Sequence, residues 1–426
     1  MAEELADQPN KTVEELADQP NKTAEELADQ PNGVADAQGR EFVFTEEQGQ
    51  LRAAVRKFCA DHIDEDAVRA SMVADPPYDA KIWARLGSEL GVLGLSVPES
   101  AGGVGGTLID QAVAVEQLGA ALACGPLFGT VYLAIPALVA AADPTGLLPD
   151  LAEGTRTAAF AVPDDTAAFD PAAVTVDAAG TGEDWTLTGT VERVVDAGAA
   201  DVLLVAATGP DGPGLYAVEA NSLGVQRIPL KTLDLTRPQA TVGLFGAPAR
   251  LIAGPAEAER VINHAFTVGA AMLAVEQVGA AQHLLDLTVD YAKNRLQFGR
   301  PIGSFQAVKH RLADDLVALE HARSTAYHAV WALAHLADVP DDPALAASIA
   351  QATCSAALVR VATDTIQVHG GIGFTWEHQA HLYYKRAYTD AALLGSAEQH
   401  RARVAELVLD VAPEKDAPRV ATGMPS

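Results

Sequence analysis

Apolar residues from Phe42 onward recur every three or four positions, which is the spacing that places side chains on one face of an α-helix. Thr45 stands where an N-cap residue is expected at the start of the first such stretch. The apolar stripe of this stretch consists of Leu51, Val55, Phe58 and Ile63. The same pattern predicts further helices over 80–90 and 108–121.

A glycine-rich segment, LGVLGLSVPESAGGVGG at 90–106, separates the last two of these helices. It does not follow a predicted strand and open a helix, as the phosphate-binding loop of a dinucleotide fold does. We therefore interpret it as an inter-helix turn.

The hydrophobic period changes to that of strands at about Thr157. Short apolar runs, separated by Gly, Pro and Asp, then follow one another over about 95 residues. They are TAAFAV, AAVTVDA, WTLTGTVERVV, DVLLVAAT, GLYAVEA, VQRIPL and ATVGLFG. Their number and spacing predict a compact antiparallel β-domain.

Helical periodicity returns at about Pro255 and continues to about Val411. One long stripe is rich in small residues, as is typical of closely packed bundle helices. It consists of Phe305, Val308, Leu312, Leu316, Leu319, Ala322, Ala326, Val330, Leu333 and Ala337. The order helices, strands, helices is not the alternating order of a nicotinamide-binding Rossmann domain.

These patterns predict an α+β multidomain fold with an N-terminal helical domain, a middle antiparallel β-domain and a C-terminal helical bundle. The predicted boundaries are a tail at 1–41, a helical domain at 42–155, a β-domain at 156–254, a bundle at 255–412 and a second tail at 413–426.

The first tail contains an 11-residue repeat, EELADQPNKT at 3–12 and 14–23 and EELADQPN at 25–32. Each unit carries a proline, an asparagine and several charges but almost nothing apolar, so it cannot bury a core. We expect a solvated tail, disordered or with fraying helical turns, and a docking arm is the alternative.

The charge and cysteine content exclude several classes of function. The formal net charge of −28 repels phosphate backbones and anionic membrane surfaces, so we expect no nucleic-acid or membrane partner. Cys59, Cys124 and Cys354 lack metal-binding or CxxC spacing, which indicates buried free thiols in a reducing compartment. With no signal-peptide layout and no long apolar run, the sequence predicts a cytoplasmic protein.

Two segments carry the candidate chemistry, YAKNRLQFGRPIGSFQAVKHRLAD at Tyr291–Asp314 and QVHGGIGFTWE at Gln367–Glu377. With FTEEQ, GLSVPESAGGVG and the β middle, they follow one another as in acyl-CoA dehydrogenases. The chain resembles that family over about residues 42–410. The last two motifs are specific to the family, and the first two are suggestive.

The resemblance implies a helical domain, a β-domain and a C-terminal four-helix bundle that hold FAD between them. Two protomers share each FAD in that arrangement. One protomer supplies the flavin-ring pocket and the catalytic base, and its neighbour supplies the pocket for the pyrophosphate and adenosine.

The residues of the second pocket are present. Arg295 is suited to grip the pyrophosphate with a bidentate, permanently charged fork. The Gly370–Gly371 pair lets backbone amides approach the phosphate and ribose closely. The remaining candidates for cofactor binding are Gln297, Phe298, Ile302, Phe305, Gln367 and Val368. Taken singly, Arg295 could form a surface salt bridge and the glycines a helix C-cap.

His310 and His369 lie in the same two motifs. No second metal ligand stands at a usable spacing from either, so we expect structural or hydrogen-bonding roles and no metal site.

The catalytic base of the family is missing from both of its positions. The family reaction removes a proton α to a thioester, which requires a desolvated carboxylate, while a hydride leaves the β carbon for the flavin. One family position for this glutamate corresponds to Leu394 in AALLGSAEQHR. The other lies 26 residues before Arg295, at Gly269.

The flavin-ring pocket also departs from the family. The Thr-Glu-Pro and Gly-Ser-Asp of the family, after the first β run, are replaced by AVPDDTAAFDP from Ala161. The family's Trp-Ile-Thr-Asn is replaced by Arg193, Val194, Val195 and Asp196. The missing groups all belong to one half of the shared site.

The sequence thus resembles the partner subunits of heterotetrameric acyl-CoA dehydrogenases from actinobacterial steroid side-chain breakdown. That resemblance implies an α2β2 assembly in which a homologous catalytic subunit brings the glutamate and the ring pocket, with one FAD at each αβ interface. Acyl-CoA as substrate and an electron-transfer flavoprotein as acceptor are implied in the same way.

Two alternatives stay open. The chain could be a self-sufficient homotetrameric dehydrogenase with a displaced base, either Glu398, one helical turn beyond Leu394, or Glu276, two turns beyond Gly269. It could instead be a non-catalytic scaffold that kept only the fold, although Arg295 and QVHGGIGF argue against this.

Overall fold

The computed structural model describes residues 34–35, 41–164, 166–182, 184–335 and 342–409. It divides into two units, 1–45 and 46–426. In the first unit, β1 (Val34–Ala35) pairs antiparallel with β2 (Glu41–Phe42). The repeat at 3–32 and the predicted tail at 413–426 lie outside the described residues.

The second unit begins with a series of helices. These are α1 (Glu46–His62), α2 (Glu65–Ser71), α3 (Ala80–Ser88) and α4 (Leu108–Ala120). Asp64, Asp79 and Thr107 accept backbone N–H groups at the starts of α2, α3 and α4. The helices predicted over 80–90 and 108–121 are confirmed, and the glycine-rich segment between them is a turn.

A buried π-helix, Leu127–Ala134, connects the helical region to the sheet and leads into α5 (Ile135–Ala140) and α6 (Leu148–Glu153). All eight of its residues are buried. π-Helices are rare and frequently occur at functional sites. Its Leu133 lies 2.6 Å from the place that a Cβ at Gly269 would take.

The middle region is a seven-stranded sheet. Its strands are β3 (Ala158–Ala161), β4 (Val176–Thr181), β5 (Asp184–Val195), β6 (Val202–Gly209), β7 (Gly212–Glu219), β8 (Val225–Pro229) and β9 (Gln239–Ala253). Its pairings close a ring in the order β6, β4, β5, β9 and β7, while β3 adds to β6 and β8 adds to β9. Side chains such as Leu187, Leu203, Tyr216 and Leu244 fill the interior.

Most of these pairings are antiparallel, as predicted, but two are parallel. β3 runs parallel to β6, and β4 meets β6 in parallel at Asp177 and Thr208. The β4–β5 hairpin intervenes between β3 and β6, so β6 returns beside β3 in the same direction. Alternation of apolar residues reports which face is buried and not the direction of a neighbour, so it does not predict these two parallel pairings within the antiparallel domain.

The C-terminal region is a bundle of long helices. Its members are α7 (Ala258–Asn294), α8 (Gln306–Ala334), α9 (Pro343–His369), α10 (Ala380–Asp390) and α11 (Ala397–Leu409). Two apolar segments, Ala258–Asn294 and Pro343–Phe374, are long enough to cross a bilayer, but 83% and 61% of their most apolar windows are buried inside the protein. They are core helices of the bundle.

Glycines let α4 and α7 cross closely. A Cβ at Gly279 would lie 1.9 Å from the carbonyl oxygen of Glu116, and one at Gly119 would lie 2.3 Å from that of Glu276. Neither position has room for a larger residue, so this contact fixes the N-terminal helices against the bundle.

The apolar stripe predicted along α8 is buried only in its second half. Leu319, Ala322 and Val330 are buried, whereas Leu316 and the neighbouring Val317 are exposed. Ala337 lies outside the described residues. The exposed half follows directly after the predicted cofactor segment, where another surface is needed to cover it.

Candidate functional site

The structure brings the two predicted nucleotide-binding segments together. The first follows α7, where β10 (Leu296–Gln297) and β11 (Arg300–Pro301) form a tight hairpin. The second is the turn at Gly370 after α9. The ring of Tyr291, in the last turn of α7, stacks on the ring of His369 with centroids 4.3 Å apart. The ends of the two helices are therefore neighbours.

Backbone geometry explains the residues at both turns. Phe298 and Gly299 have φ values of 53° and 76°, which lets the hairpin reverse within two residues. Gly370 has φ 64° and ψ −139° and donates its N–H to the carbonyl of Ile366 as the C-cap of α9. Gly370 thus has the C-cap role that was the alternative for it, and the turn that it forms is open.

The candidate cofactor residues lie on the surface of the protomer. Arg295, Gln297, Gln367, Gly370 and Gly371 are exposed, and Ile302, Phe305 and Val368 are half-buried. The side chain of Arg295 has no ion-pair or hydrogen-bond partner in the described part of the chain, so the surface salt bridge considered for it is not formed there.

Exposed aromatic side chains lie in the same two segments as this cation and the Gly370 turn. Phe298 is 91% exposed and Phe374 is 71% exposed. Large aromatic groups left in water mark a surface that a ligand or another chain covers. The segment thus combines an unpaired guanidinium with uncovered rings.

The open space in front of both turns fits the anionic half of a dinucleotide. A Cβ built at Gly299, Gly370 or Gly371 meets no atom within 4 Å, so this side of each turn is unobstructed. Backbone amides can approach a phosphate closely there, next to the free fork of Arg295. The residues present are therefore suited to the pyrophosphate and adenosine of FAD.

Sequence analysis missed Arg300. Its guanidinium lies 4.0 Å from the ring centroid of Phe305, and the ring of Phe298 meets that of Phe305 edge-on at 6.2 Å. Arg300 adds a second cation to the segment and holds Phe305 in place. The signal was available in the FGR sequence, because a hairpin turn at Phe-Gly places the next residue beside the first strand.

The two family positions for the catalytic base face each other. A Cβ at Gly269 would lie 2.6 Å from Cδ2 of Leu133 and 3.1 Å from Cδ1 of Leu394. Leu394 is 1% exposed. The volume between the two positions is filled by apolar side chains, so neither position offers a proton acceptor.

Asp164 was not singled out from the sequence. Its carboxylate accepts the backbone N–H of Leu394 at 3.4 Å, and the residue is half-buried. It binds the backbone of the turn that carries Leu394.

Glu398 does not lie where the sequence analysis placed it. Leu394 and Gly395 have φ values of 56° and 96°, so no helix runs from residue 394 to 398 and the two do not share a helical face. Glu398 is exposed in the first turn of α11. The prediction assumed a continuous helix, and the left-handed turn breaks it.

Glu276 is buried in a network of ions. It accepts hydrogen bonds from Arg237 at 2.6 Å, from Arg386 at 2.5 Å and from the Tyr132 hydroxyl at 2.8 Å. Burial would raise the pKa of this carboxyl, but the two guanidinium groups outweigh it and lower the pKa to about 2. A carboxylate held so strongly in its ionised form is a poor general base, which argues against the displaced-base alternative at this residue.

The network joins three parts of the chain. Arg237 also binds Asp390 at 2.5 Å, and Arg386 also binds Asp234 at 3.2 Å. These pairs connect the segment before β9 to α7 and α10. Sequence reasoning missed them because each partner is separated from the other by many residues and carries no local pattern.

The backbone is distorted at the residues that replace the family's Trp-Ile-Thr-Asn. The pairing of β5 with β9 is irregular between Val191 and Val194, and Arg193 and Asp196 have φ values of 59° and 64°. Val194 and Val195 are buried. Aliphatic residues here offer neither an aromatic plane for stacking nor a hydroxyl for hydrogen bonding.

Asp196 faces the π-helix. Its carboxylate accepts the N–H of Gly129 at 3.0 Å. Burial raises the pKa of this carboxyl to about 6, against the lowering effect of that hydrogen bond. The last residue of the altered ring motif therefore has a structural partner inside this chain.

The two motif histidines differ. His310 is exposed on α8, whereas His369 is buried and bound to the carbonyl of Thr365. Across the residues that the structure describes, no group of three or more His, Cys, Asp or Glu is suited to a metal.

Comparison with known families matches most of the helical part of the chain. The model of the acyl-CoA dehydrogenase N-terminal domain matches residues 45–154, and that of the C-terminal domain matches residues 259–409. Acyl-CoA dehydrogenase IpdE2 of Mycobacterium tuberculosis is 38% identical over 354 residues, which cover 83% of this chain and 95% of that protein. IpdE2 of Mycolicibacterium smegmatis is 35% identical over 361 residues, 84% of this chain and 98% of that protein.

Solved structures share the whole architecture. The ChsE4–ChsE5 complex from Mycobacterium tuberculosis matches with a TM-score of 0.78 and 29% identity, over 88% of this chain and 100% of that chain. The Tcur3481–Tcur3483 steroid ACAD variant matches with a TM-score of 0.77 and 32% identity, over 86% of this chain and 98% of that chain. The predicted order of helical, β and helical regions is that of these proteins.

Proposed function

Since the chain belongs to the acyl-CoA dehydrogenase family of FAD-dependent oxidoreductases, we propose that it is the non-catalytic subunit of a hetero-oligomeric acyl-CoA dehydrogenase. It supplies the pocket for the pyrophosphate and adenosine of FAD. A homologous catalytic subunit supplies the ring pocket and the base, in an α2β2 assembly with one FAD at each αβ interface.

The observation that carries the proposal is the contrast between the two halves of the site. Arg295 and the open turn at Gly370 lie on the surface, in segments that also carry uncovered aromatic rings. The opposite half is sealed, because Leu133 and Leu394 occupy the space between the two base positions. A chain built in this way can hold one end of a shared cofactor and cannot work on the other.

Each predicted residue has a role in this proposal. Arg295 binds the pyrophosphate through two parallel N–H donors, and the amides around Gly370 and Gly371 bind phosphate oxygens. The residues that flank the adenosine and ribose are Gln297, Phe298, Ile302, Phe305, Gln367 and Val368. When bound, FAD accepts the hydride that leaves the β carbon of the acyl thioester.

We extend the proposal to the substrate class. The solved relatives include a protein described as a steroid ACAD, and another is a complex of two named chains. These descriptions support a steroid-type acyl-CoA thioester as substrate and a second dehydrogenase chain as partner. An electron-transfer flavoprotein as acceptor and a cytoplasmic location complete the proposal.

The first test is purification of this chain alone and together with a co-expressed homologous dehydrogenase chain. The chain alone is expected to be colourless and inactive, and the complex yellow and active. Arg295→Ala is expected to weaken FAD binding by the complex about tenfold or more, because a bidentate charged contact to a phosphate is lost. Arg250 is an exposed arginine on β9. Arg250→Ala is therefore the matched control and should leave FAD binding by the complex unchanged.

A yellow, active protein made from this chain alone would contradict the proposal. Glu398→Gln and Asp164→Asn should then be tried in that protein, because loss of turnover in either would identify a displaced base. Under the proposal, both variants keep the activity of the complex.

A further inference from the structure

Three aromatic rings connect the two segments that the proposed function assigns to FAD. Tyr291 stacks on His369 with centroids 4.3 Å apart and planes 27° apart. His369 meets His378 with centroids 4.5 Å apart and planes 48° apart. We call Tyr291, His369 and His378 the ring column.

Two rings of the column, Tyr291 at one end and His369 in the middle, are next to predicted cofactor residues. The carbonyl of Tyr291 accepts the backbone N–H of Arg295 at 2.8 Å. His369 directly precedes Gly370 and is the last residue of α9. Because the hairpin after Arg295 and the turn after Gly370 are otherwise exposed, the column is a rigid link between them.

A hydrogen bond fixes the tautomer of the neutral His369 ring. Its Nδ1 lies 2.8 Å from the carbonyl oxygen of Thr365, and since a carbonyl only accepts, Nδ1 carries the proton. Its Nε2 is buried and has no hydrogen-bond partner among the described residues. A second proton on Nε2 would place a charge where nothing in the described chain compensates it.

The surroundings of the column disfavour charge on either imidazole. Burial, and then the neighbouring His378, lower the pKa of His369 against the opposing hydrogen bond to Thr365. Burial also lowers the pKa of His378, although the Glu65 carboxylate opposes it. The other charged and titratable groups that act on or with the pair are Arg69 on α2 and His381 on α10.

We propose that His369, clamped between Tyr291 and His378, is the positioning residue that sets the Gly370 turn against Arg295 for FAD, and that the column is intact only while both imidazoles are neutral. The inference rests on the proposed function, because the column acts only on a nucleotide that this chain holds. His369 positions the turn and takes no part in the chemistry of the flavin.

The sign of the pH effect follows from the stacking. At pH 8 both imidazoles are neutral and the rings pack without repulsion. As the pH falls below the ordinary histidine value of about 6.5, protonation of either imidazole puts a cation in a partly buried group of rings, and protonation of both puts two cations 4.5 Å apart. The two segments then separate, and the complex releases FAD in acid.

The test uses the complex with its co-expressed catalytic chain and follows FAD release by flavin fluorescence between pH 8 and pH 5. The wild-type complex is expected to lose FAD as the pH falls. His369→Ala is expected to weaken FAD binding about tenfold at pH 8, the order of one lost aromatic stack. His378→Phe keeps a ring that cannot be protonated, so its FAD affinity should vary less between pH 8 and pH 5 than that of the wild type.

The control is His264→Phe. His264 lies on the same helix α7, burial also lowers the pKa of this histidine, and it is 27 residues from Tyr291, roughly 40 Å along the helix. This variant should reproduce the wild-type pH profile. Native mass spectrometry of each variant reports assembly separately from FAD content.

The outcomes separate the two proposals. If no complex forms, or if Arg295→Ala keeps its FAD, the proposed function fails. If Arg295→Ala releases FAD while His369→Ala and His378→Phe match the wild type throughout, only the ring column is overturned. If His369→Ala does not assemble, the pH profiles of the wild type and of His378→Phe decide, and a flat wild-type profile rejects the column.

Discussion

At the scale of single residues, Leu394 carries the proposal that this chain lacks the catalytic half of the site. The backbone around it still makes a left-handed turn at φ 56°, and Asp164 binds its N–H. The side chain, however, packs against the space beside Gly269 and Leu133. The turn that would present a base is therefore kept, and the base is replaced by a group that closes the cavity.

Leu394→Glu should lower stability without creating activity in the isolated chain. A carboxylate at this buried position has apolar neighbours, so the free energy of unfolding is expected to fall by about 2–4 kcal/mol. Leu394→Met conserves volume and should cost less than about 1.5 kcal/mol. Urea unfolding measures the difference, and dehydrogenase turnover by the isolated Leu394→Glu protein would show that the ring pocket is not lost.

Asp196→Asn should raise stability at alkaline pH. The pKa of folded Asp196 is about 6, above its ordinary value of 3.8, so folding favours the protonated form. Its contribution is therefore fully present below pH 3.8 and is lost as the pH rises through 6. Because asparagine does not ionise, it avoids this loss. The free energy of unfolding of Asp196→Asn should exceed that of the wild type by up to about 3 kcal/mol at pH 8 and should equal it at pH 3.5. Equal effects at both pH values would contradict this reading.

At the scale of elements, local periodicity predicted the helices but not how distant elements meet. The helices over 80–90 and 108–121 follow from neighbouring residues, and the structure confirms them. The parallel pairing of β3 with β6 joins residues 44 positions apart, as in Ala158 and Val202, and no alternation of apolar residues encodes it. Direction and partner of a strand are set by tertiary packing.

The candidate site divides in the same way. Arg295 and the Gly370–Gly371 pair lie in contiguous motifs, so the sequence could indicate them. The ion network could not be predicted, because Arg237 and Asp390 are 153 residues apart. The placement of Glu398 was wrong because a left-handed turn at Leu394 interrupts the helix that the spacing suggested.

Arg237→Met should separate the elements that the ion network joins. Removing this guanidinium leaves Glu276 with one cation and Asp390 with none, so about 3–5 kcal/mol of unfolding free energy should be lost. The matched change Arg250→Met removes an exposed pair with Glu219 at 3.7 Å and should cost less than about 1 kcal/mol. Similar losses in the two variants would mean that the buried network is not structural.

Gly279→Ala should disrupt the crossing of α4 and α7. The added Cβ would lie 1.9 Å from a backbone oxygen of Glu116, which cannot move without shifting the helix. We expect a loss of more than about 2 kcal/mol. Gly49 is an exposed residue of α1, and a Cβ added there has no atom within 4 Å. Gly49→Ala should therefore raise the free energy of unfolding by about 0.5–1 kcal/mol. Thermal unfolding of both variants tests the contrast.

At the scale of the whole molecule, the chain has the architecture of its family, and the proposed function assigns it one half of a shared cofactor site. The open half lies on the surface beside Phe298 and Phe374, which are left uncovered in the protomer. The sealed half lies inside, between the π-helix and the bundle. Under the proposed function, this division calls for a second chain of complementary design and predicts one FAD for each pair of chains.

Flavin counting by native mass spectrometry tests that limit most directly. The chain is co-expressed with a homologous catalytic chain, and the mass of the intact assembly gives both its subunit and its FAD content. The proposal predicts an α2β2 assembly that carries two FAD molecules, and none on this chain alone. Four FAD molecules per tetramer, or a flavin-loaded homotetramer of this chain, would contradict it.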